Sequence, residues 1–239
     1  MEIFDIHTHI LPGIDDGASD RAMAVQMLSL AYEQGVRTLV ATPHASMRYH
    51  TSADRVRELC SALEQEFRTV SGQEFRIYPG QEIFYRNDVI DSLADGKLMT
   101  MADSSYVLME FMPGEDYSAI YHAARDLSLN GYRMILAHAE RYKTLRTEEH
   151  LDELLHLGVY IQMNVRSAAG SWFDRDVRWC RKILKEQKVH FIGSDMHNLS
   201  GRRPAYSQTV QWMQKHLDSD YIQEICYGNA VRMIKNERI

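Results

Sequence analysis

Cysteine is scarce in this chain. The 239 residues hold only three, Cys60, Cys180 and Cys226, far apart and with no Cys-x-x-Cys pair. That excludes a disulfide framework and a thiolate zinc site, and a reducing compartment is expected. Long apolar runs are missing as well; none approaches the ~20 residues that cross a bilayer. No block of five like charges occurs, and the formal net charge is −6. A nucleic-acid arm and a polybasic membrane segment are thereby disfavoured, so neither a nucleic-acid partner nor membrane insertion is expected. The opening residues Met1 to Asp5 carry neither a cationic stretch nor a long apolar one, which points to a cytoplasmic protein. Prolines number five, and no Pro/Gly/Ser-rich linker, internal repeat or low-complexity tract breaks the chain. One domain spanning residues 1–239 is therefore expected.

What is present is alternation. Short apolar runs rich in Val, Ile and Leu occur at Ile3 to Ile6, Thr38 to Ala41, Arg76 to Gln81, Tyr106 to Leu108, Met134 to Ala137, Val159 to Met163 and His190 to Ile192. Such unbroken runs suit strands buried on both faces. Amphipathic stretches separate them. Ser19 can cap a helix carrying Ala22, Val25, Leu28 and Ala31, and Ser52 one carrying Val56, Leu59, Leu63 and Phe67. Further helices are predicted at Tyr117 to Leu129, Thr147 to Leu157 and Asp174 to Glu186, with two more in the tail from Pro204 to Lys235. Seven strands alternating with helices imply an α/β fold with a parallel sheet, TIM-like if closed into a barrel.

Histidines and acids then fall in a telling place. His7 and His9 follow the first strand, with Asp15 and Asp16 in the next loop. His44 follows the second strand, Glu82 the third, Glu110 the fourth, His138 the fifth, and Asp195 with His197 the seventh. A lone His-x-His is common, a lone Glu is usually a salt-bridge partner, and Asp15-Asp16-Gly17 alone reads as a turn. His122, His150, His156 and His216 sit in helical stretches and read as ordinary surface or core histidines. The coincidence is what counts: six of seven proposed strands end in a potential ligand. Parallel strands point their C-terminal ends to one rim, so these side chains converge. His7, His9, Asp16, His44, Glu82, Glu110, His138, Asp195 and His197 form a nine-donor set. That is too many for one ion and suits three divalent ions with a bridging carboxylate such as Glu82. Mixed imidazole and carboxylate donors favour manganese, iron or zinc. Three divalent cations outweigh four carboxylates, and a net positive site attracts phosphate dianions.

The motifs Asp5-Ile6-His7-Thr8-His9, Asp15-Asp16-Gly17, Thr42-Pro43-His44, Glu82, Glu110, His138-Ala139-Glu140-Arg141-Tyr142 and Ser194-Asp195-Met196-His197-Asn198 together resemble the polymerase-and-histidinol-phosphatase superfamily. More closely they resemble its bacterial protein tyrosine phosphatases, encoded with capsule and exopolysaccharide genes. The likeness runs from Met1 to about Ala230. It implies a distorted (β/α)₇ barrel and a trinuclear centre, most often of manganese. One ion would take His7, His9, Glu82 and Asp195, a second Glu82, Glu110 and His138, and a third Asp16, His44 and His197. It also implies two phosphate-contacting arginines, Arg141 and Arg202, with Arg203 one position away from the second. The implied substrate is the phosphotyrosyl tail of a bacterial tyrosine kinase, attacked by a metal-activated water. Alternatives are a small-molecule phosphatase, such as one acting on histidinol phosphate, and a low-activity metal-binding scaffold. Association into a homo-oligomer is left open.

Three further expectations come from the residues themselves. Asp5 and Asp15 could orient ligand imidazoles, or could equally be strand-end and turn residues. Phe84, Tyr85, Tyr142, Met47 and Tyr49 could wall the site for a phenyl ring, or could be local packing. Cys226 to Arg232 fits the Cys-x5-Arg spacing of cysteine phosphatases. The stretch reads as helix without a phosphate cradle, so it is expected to be a chance match.

Overall fold

A computed structural model describes residues 1–239. Nine strand segments are all parallel: β1 (Ile3–Thr8), β2 (Val36–Ala41), β3 (His44–Ala45), β4 (Arg76–Pro79), β5 (Glu82–Phe84), β6 (Tyr106–Glu110), β7 (Arg133–Leu136), β8 (Tyr160–Asn164) and β9 (Phe191–Gly193). They pair as β1-β2-β4 and as β3-β5-β6-β7-β8-β9. The fold is thus α/β, with a curled parallel sheet.

Two of the seven expected strands are each followed, after a two-residue break, by a short further segment. Pro43, which has no N–H to give a ladder, separates β2 from β3. Gly80 separates β4 from β5, and a Cβ on it would lie 2.8 Å from Val40 Cγ1. The seam between β9 and β1 is carried just past the strand end. Asp195 N–H donates to His7 O at 2.8 Å and His9 N–H to Met196 O at 3.0 Å.

Helices cover the outer face. These are α1 (Arg21–Glu33), α2 (Ala53–Ser71), α3 (Val89–Ala94), α4 (Tyr117–Leu129), α5 (Glu148–His156), α6 (Arg175–Lys185), α7 (Ser207–His216), α8 (Ser219–Gln223) and α9 (Asn229–Ile234), the last two joined by a π-turn at Glu224–Gly228. Ser52 caps α2 as expected, accepting from Arg55 N–H. At α1 the cap is Asp20 rather than Ser19; its carboxylate accepts from Met23 N–H, and a carboxylate also favours the positive helix end. The tail forms the two helices expected, α7 and a continuous run from Ser219 to Ile234 with a π segment inside it; the short α3 is an addition, because a six-residue helix leaves too little periodicity to read.

Two apolar clusters result. One fills the space between sheet and helices. The other lies inside the curl: Phe4, Ile6, Val40, Tyr106, Leu108, Ile135 and Phe191, met by Ala230 and Met233 of α9. The C-terminal tail also ties to the starts of β6 and β7, where Tyr106 Oη donates to Glu237 O at 2.6 Å and Arg133 donates to Asn236 O. One end of the curl is therefore plugged with hydrocarbon, while polar side chains gather at the strand C-termini.

Candidate metal centre

The side-chain line that is apolar deep in the curl turns polar at the rim. Val40 is followed two and four residues on by Thr42 and His44. Leu108 is followed by Glu110, and Tyr160 by Gln162 and Asn164. This is the period-two alternation of strands carried past the core. In β1 the phase must change, since Phe4 and Ile6 point inward and so do His7 and His9. The register supplies the change: Asp5 pairs with Leu39 and Thr8 with Ala41, leaving one extra residue in β1. A bulge of this kind re-aims the side chains beyond it.

Glu82 is the hub. Its Oε1 lies 3.2 Å from His7 Nε2 and 2.7 Å from His138 Nε2; its Oε2 lies 3.1 Å from His9 Nε2 and 3.0 Å from His44 Nδ1. Glu110 reaches His138 at 3.4 Å and His44 at 3.6 Å. Asp195 reaches His7, His9 and His197 at 3.5–3.6 Å. Asp16 Oδ1 stands 3.4 Å from both His44 Nε2 and His197 Nε2. Donor atoms cluster in four overlapping groups: His9, Asp16, His44 and His197; His7, His9 and Asp195; His7, Glu82 and His138; and His44, Glu82 and Glu110. All nine residues expected from the sequence meet here.

Outer partners aim the rings. His9 Nδ1–H donates to Asp15 at 2.7 Å, His7 Nδ1–H to Gln162 Oε1 at 3.0 Å, and His197 Nδ1–H to Asp195 O at 3.0 Å. With Nδ1 so engaged, Nε2 is the nitrogen each ring would offer to a metal once it is unprotonated, the arrangement typical of metal-bound histidines. Gln162 Oε1 also accepts His138 N–H at 2.7 Å, and Gln162 Nε2 donates to Asn164, whose Nδ2 donates to Asp195 Oδ2 at 2.8 Å. Thus β8, the one strand that brought no ligand, brings the amides that hold the others. Neither amide stands out in sequence, because Gln and Asn near a strand end are usually plain hydrogen-bonding residues.

Backbone geometry is equally committed. His138 and Asp195 have φ of 33° and 51°, unusual for side chains other than glycine. Gly17 and Gly193 admit no side chain. A Cβ on Gly17 would sit 2.1 Å from His9 O, and one on Gly193 would sit 2.7 Å from His7 Cβ.

The electrostatics fit a cation site. Burial works against charge on His9, yet Asp15 and Glu82 outweigh it and raise its pKa to about 10. Burial likewise opposes charge on His138, where Glu110 and Glu82 prevail and raise it to about 9. Glu82 is buried, but His7, His138 and His44 hold it well below the usual carboxylate range. His197 is pushed down to about 2 by burial and by His9, so it stays neutral. Its buried Nε2 has no hydrogen-bond partner. A neutral, orphaned imidazole nitrogen beside carboxylates suits a divalent ion that prefers mixed N/O donors.

Two arginines complete the rim. Arg141 donates to Asp195 Oδ2 at 2.5 Å, and Arg202 donates to Asp195 Oδ1 at 2.8 Å. Arg202 also lies 3.8 Å from Asp16. Arg203 points elsewhere and lines a neighbouring cavity.

The remaining expectations divide. Asp15 orients an imidazole, but Asp5 does not: it accepts backbone N–H groups of His7 and Ser194, tying β1 to the end of β9. Tyr142 is fully buried and accepts from Phe111 N–H, so it is packing rather than wall. Tyr85 packs on Phe111 with ring centroids 5.0 Å apart and planes tilted by 30°, and Phe84 is half-buried. Tyr49 does lie by the site, its ring 5.8 Å from His44 and nearly parallel, and Met47 is 84% exposed. Cys226 is buried in the π-turn, burial lifts its thiol to about 12, and Arg232 pairs with Glu224. It is no nucleophile.

The chain resembles tyrosine-protein phosphatase YwqE of Bacillus subtilis (strain 168), at 31% identity over 245 residues, covering 99% of this chain and 93% of that protein. It resembles tyrosine-protein phosphatase CpsB of Streptococcus pneumoniae at 29% identity over 244 residues, covering 99% and 100%. A crystal structure from the study of YwqE and CpsB, described as unique metal-dependent tyrosine phosphatases, superposes with a TM-score of 0.89 at 29% identity, covering 99% of this chain and 96% of that one. A phosphotriesterase-like lactonase of Deinococcus radiodurans shares the fold alone, with a TM-score of 0.61 at 12% identity, covering 97% and 95%. The family described as capsular polysaccharide synthesis, CpsB/CapC, matches residues 3–235, and this chain belongs to it.

Proposed function

We propose that this chain is a metal-dependent protein tyrosine phosphatase, with residues 1–239 acting as one catalytic domain in the cytoplasm. The observation that carries the reading is Glu82 in contact with four imidazoles from three different strand ends, beside an aspartate gripped by two arginines. Its full relatives bear the phosphatase name along nearly their whole length. The nine donors accommodate three divalent ions, manganese first and iron or zinc as substitutes, divided much as the resemblance implies.

When bound, the ions would neutralise phosphoryl charge and bring a water's pKa toward neutrality. The protein does the rest. Gln162 and Asp15 keep His7 and His9 in the tautomer that offers Nε2. Arg141 and Arg202, which rest on Asp195 in the structure, would exchange that partner for the non-bridging phosphate oxygens and offer them N–H forks. The leaving phenol has a pKa of about 10, so it departs with less help than an alkyl alcohol. The substrate would be the phosphotyrosyl tail of a bacterial tyrosine kinase that controls capsule or exopolysaccharide synthesis.

Elemental analysis paired with hydrolysis of a phosphotyrosyl peptide in added manganese tests this. Metal at about three per chain with rapid turnover supports it. Faster turnover of histidinol phosphate than of the peptide would make the enzyme a small-molecule phosphatase. Metal without any turnover would leave only a scaffold.

A further inference from the structure

We infer that this chain carries a second anion site beside the metal centre, which takes another phosphotyrosine of the same substrate segment. The inference rests on the phosphatase reading. A cavity of about 600 Å³ is lined by Arg166, Arg203, Gln34 and Gln208, with Ala169 and Gly170 at one edge. No carboxylate lines it, although the protein as a whole is acidic. Both arginines are exposed. Neither forms a salt bridge; Arg166 donates only to the carbonyl of Gly201. Arg202, by contrast, is spent on Asp195 and Asp16.

The cavity adjoins the catalytic rim from two sides. Arg203 follows Arg202 directly, and Arg166 also lines the cleft that holds Arg141. Helix α7 begins at the cavity with no side-chain cap at its N-terminus, which adds a favourable field for an anion. Free guanidinium groups with such geometry are suited to phosphate and carboxylate alike.

A neighbouring loop favours an aromatic phosphate. Just beyond Gly170, Trp172 and Phe173 are 63% and 86% exposed. Their backbone is nonetheless fixed, because Arg178 donates to both carbonyls at 3.3 Å and Arg181 donates to those of Ala168 and Gly170 at 3.1 Å. Exposed aromatic rings on a tethered backbone, two and three residues past the cavity-lining Gly170, offer a surface on which a phenyl ring can lie.

The test uses metal-loaded protein and peptides in which a hydrolysis-resistant phosphonomethyl-phenylalanine replaces phosphotyrosine. One peptide carries a single such residue, one carries two spaced about three residues apart, roughly 10 Å in an extended chain, and one carries a single residue flanked by glutamates. The doubly substituted peptide should bind about tenfold more tightly than the single one. Arg203→Gln should remove most of that advantage, and Arg166→Gln with Arg203→Gln all of it, while single-peptide affinity holds. If glutamates give the same gain, the site reads carboxylate as well as phosphate. Equal binding of single and double peptides by the natural protein overturns the inference, as does equal weakening of both in the variants. Turnover of an ordinary phosphotyrosyl peptide by the same preparation reports separately on the phosphatase reading.

Discussion

His7 and His9 direct their Nε2 atoms at one another across 3.3 Å, while the Nδ1 of each is engaged by Gln162 and Asp15. Two imidazoles forced into this pose present converging lone pairs, with Glu82 and Asp195 oxygens around them. Ordinary packing has no use for such an array, since it concentrates buried charge without apolar compensation. Divalent cations would resolve it.

Removal of one imidazole should remove one ion. His44→Ala is expected to lower phosphotyrosyl-peptide turnover by at least about a hundredfold, because it deletes a candidate ligand outright, whereas losing only an outer partner costs about 10–100-fold. The bound metal count should fall by about one. Both are read by elemental analysis and initial rates; full activity at full metal load would take His44 out of the centre.

Protons and metal should compete in a defined direction. The pKa values of His9 and His138 rise in the metal-free site to about 10 and about 9 from an ordinary 6.5. Their stabilising contribution is complete below about pH 6.5 and is lost as pH climbs through those values. Metal-free protein should therefore lose thermal stability between about pH 7 and 10. Coordination needs the same rings neutral, so manganese affinity should increase over that window. Uptake at pH 7.5 should release protons, measurable by calorimetry in buffers of different ionisation enthalpy.

Gly193→Ala places a methyl 2.7 Å from His7 Cβ and 2.9 Å from Gln162 Nε2. Overpacking of this kind costs about 1–3 kcal/mol. A lowered melting temperature together with weaker metal binding is expected, because the clash falls on a ligand ring and on its orienting amide. A drop in stability with unchanged metal affinity would show that the centre tolerates the shift.

Arginine roles should separate. Arg141→Lys and Arg202→Lys keep the charge but lose the fork, and kcat/KM on para-nitrophenyl phosphate should fall about 10–100-fold. Arg203→Gln should leave that small substrate nearly unaffected, because its side chain faces the neighbouring cavity. Cys226→Ser should also retain kcat/KM, with a modest stability loss from placing a hydroxyl in a buried apolar spot.

The site was legible because ligand chemistry sits at fixed places. Each of His44, Glu82, Glu110, His138 and Asp195 closes an apolar run, and parallel strands make such closings converge. The β1 bulge between Asp5 and Thr8 was not legible, though His7 and His9 still reach one site through it. The role of β8 was missed for a physical reason. Gln162 and Asn164 act through neutral amides, and nothing in their type separates a ring-orienting amide from any buried polar group. The break at Pro43 follows from proline chemistry and could have been read; the break at Gly80 depends on the close approach of Val40, which only the fold creates. The cap of α1 shows the limit of spacing alone, since Ser19 and Asp20 are adjacent and both are good caps.

The most direct test strips the protein with a chelator and then follows phosphotyrosyl-peptide hydrolysis as manganese is returned in known amounts. Activity should be near zero in the stripped protein and should climb with bound manganese, levelling only as occupancy approaches about three ions per chain. Full turnover in the presence of chelator, or a plateau reached with no metal bound, would contradict a catalytic centre built on Glu82 and its four imidazoles.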